Sequence, residues 1–250
     1  GGMSITGTDI STPTRAGIPI GDLGSGLFSV IGMLSALLSR EKTGKGQHLD
    51  LSLLDVQISL LTYMATMQTL SGVNPEPIGN AHFVHVPYNS FTTKNGFVVI
   101  AVITDAFWQE LLNIVDIDNL RKEEFKSSTG RLENQKFIES ELNKKLSTET
   151  SEHWINALNS AKVPCAPINS FSQALSDEQV IHRNMVVEVD HPDGGKVKMP
   201  GNPIKLSYTD EDSFSPPPHL GQHTKETLIE WCNYSESEIN ELIKKKVIAT

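Results

Sequence analysis

A long apolar helix that follows a glycine-rich turn is the feature that most constrains this chain. Residues 23–40 predict a helix, because apolar side chains recur at helical spacing. The wide apolar face that they form consists of Leu27, Val30, Ile31, Leu34, Leu37 and Leu38. A stripe of small residues also follows the helix, namely Ser25, Ser29, Gly32 and Ala36. The stripe lets another backbone approach closely, so we expect tight packing there.

The segments after this helix predict an α/β layer. "TGKGQ" at 43–47 ends the helix with glycine and lysine. Residues 48–55, "HLDLSLLD", alternate leucine with polar residues, the period of a half-buried strand. A second helix is predicted over about 54–71. Residues 1–73 are therefore assigned to part of a large α/β domain.

The pattern changes beyond a proline-rich linker, predicted over 74–90. Asn95-Gly96 lies between two β-prone runs and predicts a hairpin. Helices near 105, 131–146 and 151–161, and a short strand in "KVPCAPI", indicate a small α+β domain over 91–185. A second hairpin, and helices that end with a Ser235–Glu238 capping box, make up residues 186–250.

Composition excludes several classes of protein. The net charge of −9 gives no basic surface for nucleic acid, and two cysteines cannot form a disulfide framework. No run approaches the roughly 18 apolar residues of a membrane span. Neither an initiator methionine nor a signal peptide is present, so we expect a segment from within a longer protein. We also expect a reducing compartment.

Asp22 lies in the turn before the helix, in "GDLGSG", and allows two interpretations. As an N-cap it would satisfy free amides at the helix start. As a functional group it would be reachable, because glycines surround it, and glycine amides could stabilise an oxyanion beside it. The glycine spacing does not match the dinucleotide fingerprint, and no G-x-S-x-G motif is present.

The predicted linker holds a second candidate group. Asn80, His82, His85 and Tyr88 could contact a ligand in a cleft between domains, or could have an ordinary structural role. Metal binding is disfavoured, because no Asp, Glu or Cys stands at a supporting spacing.

Several of these segments, taken together and in order, resemble the class III CoA-transferases, a family that includes the α-methylacyl-CoA racemases. The matching stretches are 1–7, 13–55, 79–102, 162–170, 185–207 and 216–224. They correspond to the C-terminal portion of that family. The resemblance implies part of a Rossmann-like large α/β domain plus a smaller α+β domain, of the type that forms interlocked homodimers.

The resemblance also implies an activity. It places Asp22 as a covalent nucleophile that exchanges CoA between an acyl-CoA and a carboxylic acid, such as the dicarboxylate succinate. Gly21, Gly24, Asn80 and His82 are then candidate substrate-binding residues. CoA and acyl-CoA are substrates, no cofactor is permanently bound, and no metal, nucleic acid or membrane is expected. A cytoplasmic location follows, or the mitochondrial matrix in a eukaryote.

Two alternatives stay open at this point. An α-methylacyl-CoA racemase would use Asp22 with a histidine in proton transfer, although "GDLGSGL" favours the transferase. An inactive fragment or a binding module is the other alternative.

Overall fold

The computed structural model describes residues 1–209 and 213–248. Residues 210–212 and 249–250, which belong to the predicted segment 186–250, lie outside the described residues. Two compact units are distinguished, Gly1–Ile168 and Asn169–Thr250. The predicted domain boundaries stay a prediction.

The first unit begins with four helices: α1 (Gly2–Ile5), α2 (Ile20–Thr43), α3 (Leu53–Leu60) and α4 (Thr62–Ser71). The predicted helix over 23–40 corresponds to α2, which ends at Gly44 in the left-handed conformation. The second predicted helix is instead two, because the chain breaks at Thr62, where φ is 50°.

The predicted strand in residues 48–55 is not formed. Residues 45–52 are irregular, and α3 begins at Leu53. A strand needs a partner to satisfy its backbone groups, and within the described residues no strand pairs with this segment. Leu49 instead packs on Gly32 of α2, where a Cβ would lie 2.9 Å from Leu49 Cδ1.

An antiparallel sheet with three strands forms the centre of the first unit. β1 (Tyr88–Thr93) and β2 (Gly96–Ala101) form the predicted hairpin, in which Thr93 pairs with Gly96. β2 also pairs with β3 (Cys165–Pro167). The intervening helices are α5 (Asp105–Val115), α6 (Ser128–Glu133), α7 (Gln135–Leu146) and α8 (Ser151–Ser160), with 3-10 turns at Asp118–Leu120 and Glu123–Lys126.

The core of this unit lies between the sheet and these helices. Its members are fully or almost fully buried and include Phe91, Ile100, Trp108, Leu112, Ile138, Leu142 and Leu158. Arg131 is also buried, at 3% exposure. Its guanidinium donates to the carbonyls of Val86, Phe125 and Lys126 and to Asp105 Oδ1. The arginine thereby ties residue 86, before β1, to the helices.

The second unit contains the remaining helices and a two-stranded sheet. The helices are α9 (Phe171–Leu175), α10 (Glu178–His182), α11 (Thr224–Glu230) and α12 (Glu236–Lys244). β4 (Val186–Asp190) and β5 (Lys196–Pro200) form the second predicted hairpin. The capping box of Ser235 and Glu238 is present as predicted.

Candidate active site

Asp22 lies in the first turn of α2 and not at its N-cap. The helix begins at Ile20, so Asp22 is its third residue, and Pro19 occupies the N-cap position without a side-chain cap. The N-cap interpretation is therefore wrong. The carboxylate is exposed, and no hydrogen bond or ion pair engages it within residues 1–209 and 213–248. A carboxylate in a first turn is favoured by the positive end of the helix dipole.

The glycines beside Asp22 let α2 and α3 pack closely. At Gly24, which is buried, a Cβ would lie 3.0 Å from Leu60 Cδ1 and 3.3 Å from Val56 Cγ1. At Gly26 a Cβ would meet nothing within 4 Å. Gly24 therefore has a packing role, and its predicted contact with substrate stays a prediction.

Gln57, a polar side chain that sequence reasoning missed, lies against Gly21, the residue before Asp22. A Cβ at Gly21 would lie 3.4 Å from Gln57 Cδ and from Gln57 Nε2. Ser25 Oγ donates to the Gly21 carbonyl at 2.7 Å. Gln57 is a further candidate for contact with a ligand held at this turn. Its position depends on the packing of α3 against α2, so no local motif could have revealed it.

The burial of α2 follows its small residues. The half-buried or buried side is the predicted small-residue stripe, and it faces α3 and Leu49. The predicted apolar face is exposed, with Leu27 at 68% and Leu34 at 55%. Ser29, Gly32 and Ser35 interrupt the run of apolar residues in α2, but by its length and mean composition alone the helix is long and apolar enough to cross a membrane.

Asn80 lines a polar cleft of about 520 Å³. The other lining groups include Thr6, Gly7, Thr8, Ile78, Gly79, Asn89 and Ser90. Asn80 Nδ2 donates to Ser90 Oγ at 2.9 Å, and the Gly79 amide donates to the Gly7 carbonyl at 2.7 Å. The cleft thus lies between the start of the chain and the segment around the beginning of β1, and these hydrogen bonds connect them.

His82 is held in one orientation by its own loop. Its Nδ1 accepts the backbone N–H groups of Val84 and His85, at 3.0 and 3.2 Å. The ring stacks on Tyr88 with 5.2 Å between centroids. Because Nδ1 is an acceptor, the proton of the neutral ring is assigned to Nε2. Burial lowers the pKa of His82, and the nearby His85 lowers it further.

Asp22 and the loop around Asn80 and His82 belong to the same unit, Gly1–Ile168. No hydrogen bond or ion pair joins Asp22 to either residue within the described part of that unit. Across residues 1–209 and 213–248, no three His, Cys, Asp or Glu side chains cluster in a way that could hold a metal ion.

The chain has mixed α and β structure, and the first turn of its long helix carries an exposed carboxylate. A ligand can therefore reach this group. The chain belongs to CoA-transferase family III, whose family model matches residues 1–224. This match confirms the family to which the sequence was assigned.

The curated relatives that are similar to the chain include two that transfer CoA by name. It is 32% identical over 247 residues to the succinyl-CoA:glutarate CoA-transferase of Mus musculus, a match that covers 98% of this chain and 57% of that protein. It is 33% identical over 236 residues to the succinate–glutarate CoA-transferase of Agrobacterium fabrum, covering 92% of this chain and 58% of that protein. The chain thus spans a little more than half the length of these relatives.

The solved structure is a CAIB/BAIF family protein from Brucella suis. It superposes with a TM-score of 0.77 at 30% identity, over 92% of this chain and 60% of that chain. The predicted fold class is confirmed by this likeness.

Proposed function

We propose that this chain provides the nucleophile of a CoA-transferase that moves CoA from an acyl-CoA to a carboxylic acid. The observation that carries the proposal is the exposed Asp22 carboxylate in the first turn of α2, in a chain that belongs to CoA-transferase family III. A carboxylate can attack an activated acyl group when that group is held against it. The turn leaves room for such an approach, because Asp22 is exposed and a Cβ at Gly26 would meet nothing within 4 Å.

In the first half of the proposed reaction, an Asp22 oxygen attacks the thioester carbonyl. The carbon–sulfur bond breaks, and a mixed anhydride and CoA thiolate form. The thiolate then attacks the aspartyl carbonyl, so the donor acid leaves as a carboxylate and Asp22 carries CoA as a thioester.

The second half reverses these steps with another acid. The acceptor carboxylate attacks the aspartyl thioester, which gives a second anhydride and releases CoA thiolate. The thiolate attacks the acyl carbonyl of the acceptor, so a new acyl-CoA forms and the Asp22 carboxylate is restored. No oxidant, reductant or net proton is consumed.

The start of α2 offers donors for the negative charge that develops in each attack. Among the described residues, the backbone N–H groups of Gly21 and Asp22 have no acceptor, as expected for a first turn. Free amides at a helix start can stabilise an oxyanion. We propose that they do so here, with Gln57 as an additional amide donor.

His82 is proposed to recognise the carboxylate of the acid substrate. With Nδ1 occupied by two backbone N–H groups, the neutral ring offers one donor, Nε2–H, and no free acceptor. Such a group pairs with an ionised carboxylate and not with another donor. Asn80 lies two residues away, in the wall of the polar cleft.

Dicarboxylates are the proposed acids. The names of the two relatives include succinyl-CoA with glutarate, and succinate with glutarate. A dicarboxylate would present one carboxylate to Asp22 and the other to the loop of Asn80 and His82. CoA is proposed as a substrate that leaves and returns, and the interlocked homodimer stays a prediction.

The test compares two helices that carry an acidic residue at the same position. Asp55 is the third residue of α3, as Asp22 is of α2, and both are exposed. Transfer of CoA from succinyl-CoA to glutarate is measured for wild type, Asp22→Asn and Asp55→Asn. We expect Asp22→Asn to lose at least a thousandfold in kcat and Asp55→Asn to keep near wild-type transfer.

Each contrary result has a defined meaning. Transfer that survives in Asp22→Asn contradicts the nucleophile assignment. If wild type transfers nothing but exchanges the α-proton of a 2-methylacyl-CoA with deuterium from solvent, the racemase alternative replaces the proposal.

A further inference from the structure

A small cavity in the first unit is lined by donor groups that the proposed function does not use. Its volume is about 70 Å³, and the groups that line it include Trp108, Gln109, Leu112, Arg121, Lys122 and Lys126. The first three lie on α5, and the three cations come from the segment that contains the 3-10 turns. The cavity therefore lies where α5 meets this segment.

The indole N–H of Trp108 is a buried donor without an acceptor. The Trp108 side chain is fully buried, and its Nε1 has no hydrogen-bond partner within residues 1–209 and 213–248. Trp154 is also buried, but its Nε1–H donates to the Leu146 carbonyl at 2.7 Å. A buried indole N–H normally has such a partner. The Trp108 N–H thus needs an acceptor that comes from solution.

Arg121 brings to the cavity a guanidinium that is only partly engaged. Its Nη2 donates to the Leu112 carbonyl at 2.9 Å and to Asp116 Oδ1 at 3.2 Å. In the part of the chain that the structure describes, its Nη1 and Nε have no acceptor. A guanidinium offers five N–H donors in a planar fork that suits the oxygens of a phosphate or a carboxylate. Arg121 therefore has donors left for an anion.

Lys122 and Lys126 bring two further cations. Lys126 Nζ lies 2.7 Å from Glu123 Oε2, whereas Lys122 Nζ lies 3.7 Å from Glu124 Oε1, which is too far for a hydrogen bond. All four side chains are more than half exposed, and exposed ion pairs contribute little to stability. Neither glutamate lines the cavity, so both ammonium groups can turn to an anion there.

The size and the donors of the cavity favour a small oxyanion over water. A water molecule occupies about 30 Å³ in the liquid, so the cavity holds about two waters or a single oxyanion of a few heavy atoms. Water donates as well as accepts, whereas indole, guanidinium and ammonium groups only donate. An oxyanion accepts at each oxygen and also brings negative charge. Because the chain has a net charge of −9, an anion requires a local cluster of cations such as this one.

We propose that this cavity binds one phosphate group, with Trp108 Nε1–H, Arg121 and Lys126 as its donors. A phosphate monoester carries about 1.5 to 2 negative charges at pH 7, so three cations attract it more strongly than they attract a monocarboxylate. Inorganic phosphate and the phosphate of an ester share this chemistry. The site does not involve Asp22, so the proposal is independent of the proposed function.

The experiment follows the indole N–H signals of the three tryptophans by two-dimensional ¹H–¹⁵N NMR. Inorganic phosphate is titrated into the labelled protein, and KCl at the same ionic strength is the control. Trp108→Phe removes the N–H, keeps an aromatic ring and assigns the signal. We expect the Trp108 signal to shift until it saturates, and the Trp154 signal to stay in place because its N–H already has an acceptor.

Two matched lysine variants test the cations. Lys126 and Lys144 each pair with a glutamate three residues earlier, but only Lys126 lines the cavity. We expect Lys126→Gln to raise the Kd of phosphate about two- to fivefold and Lys144→Gln to leave it unchanged. Trp108→Phe, measured by calorimetry, should raise the Kd about tenfold or more. Circular dichroism checks that each variant folds, and Lys126→Gln still tests the proposal if Trp108→Phe does not fold.

A comparison of ligands identifies the source of the phosphate. If CoA shifts the Trp108 signal, the site takes a phosphate ester, and dephospho-CoA shows whether that ester is the 3′-phosphate. If only inorganic phosphate shifts the signal, the site takes the free ion.

Three results would overturn the proposal. The first is that neither inorganic phosphate nor CoA shifts the Trp108 signal. The second is that KCl shifts it as far as phosphate does. The third is that Lys126→Gln and every folded Trp108→Phe protein bind phosphate as tightly as wild type.

Discussion

Replacement of His82 by asparagine or by glutamine distinguishes the roles of its two ring nitrogens. Asparagine places an acceptor oxygen where Nδ1 lies, so it can still receive the N–H groups of Val84 and His85. It has no atom at the position of Nε2. Glutamine does the reverse, because its amide nitrogen can reach the position of Nε2 but leaves the two backbone donors unpaired.

The structure sets the size of each effect. A hydrogen bond from Nε2–H to an ionised carboxylate contributes about 1.5–3 kcal/mol, which corresponds to about a 10- to 150-fold change in affinity. His82→Asn should raise the KM for the acid by that factor and leave the KM for acyl-CoA and the free energy of unfolding near wild type. His82→Gln should keep more of the affinity for the acid. Its loop should lose about 0.5–1.5 kcal/mol, because the exposed N–H of Val84 and the half-buried N–H of His85 lose their acceptor.

The assay is initial-rate kinetics with succinyl-CoA and glutarate, together with urea unfolding of each variant. An unchanged KM for the acid in His82→Asn would refute the role of Nε2–H. Equal stability of His82→Gln and wild type would refute the argument that the two backbone bonds fix the ring.

Three further predictions concern stability. The pKa of His82 is lowered in the folded protein, so its neutral form stabilises the fold fully above about pH 6.5. This contribution is lost as the pH falls below that value. Urea unfolding from about pH 7.5 to 5 should show the loss in wild type and not in His82→Asn. Arg131→Met should lower the free energy of unfolding by about 3–5 kcal/mol, since it removes a buried charge that satisfies three carbonyls. Asp105→Asn, at a carboxylate 66% exposed, should lower it by about 1 kcal/mol or less. Thermal and urea unfolding measure both, and equal losses would contradict this prediction. Gly26→Ala should stabilise α2 by about 0.5–1 kcal/mol. Gly24→Ala should be less stable than Gly26→Ala by about 1–3 kcal/mol, because its Cβ crowds Leu60. An equal change in the free energy of unfolding in both variants would contradict the packing role of Gly24.

Elements with local signals could be predicted from the sequence. The hairpin at Asn95-Gly96 and the capping box of Ser235 and Glu238 depend on residues within a few positions of each other, and both formed as predicted. The small-residue stripe of α2 also predicted close packing correctly, because a missing side chain permits contact whatever the partner is.

Elements that depend on distant partners could not be predicted in the same way. The alternation in residues 48–55 is typical of a strand, but pairing requires a neighbour that the described residues do not supply. The sequence of α2 shows a wide apolar face but not whether that face is covered, and in the structure it is exposed. The position of Asp22 within the helix was missed, because Ile20 and Gly21 extend the helix beyond the predicted start.

In the candidate site, too, the sequence indicated some residues, whereas other features required the structure. Asp22, Asn80 and His82 were candidates from their local sequence, and the resemblance to a family gave them roles that stay predictions. The tautomer of His82 and the approach of Gln57 to Gly21 required coordinates, because each arises from contacts that no spacing in the sequence encodes.

The most direct test of the central claim is to trap the covalent intermediate on Asp22. The protein is incubated with succinyl-CoA, treated with hydroxylamine, digested, and analysed by mass spectrometry, with Asp55 in the same digest as an internal control. We expect a hydroxamate on Asp22 that requires acyl-CoA, and none on Asp55. Transfer of CoA to glutarate without any modification of Asp22 would contradict it.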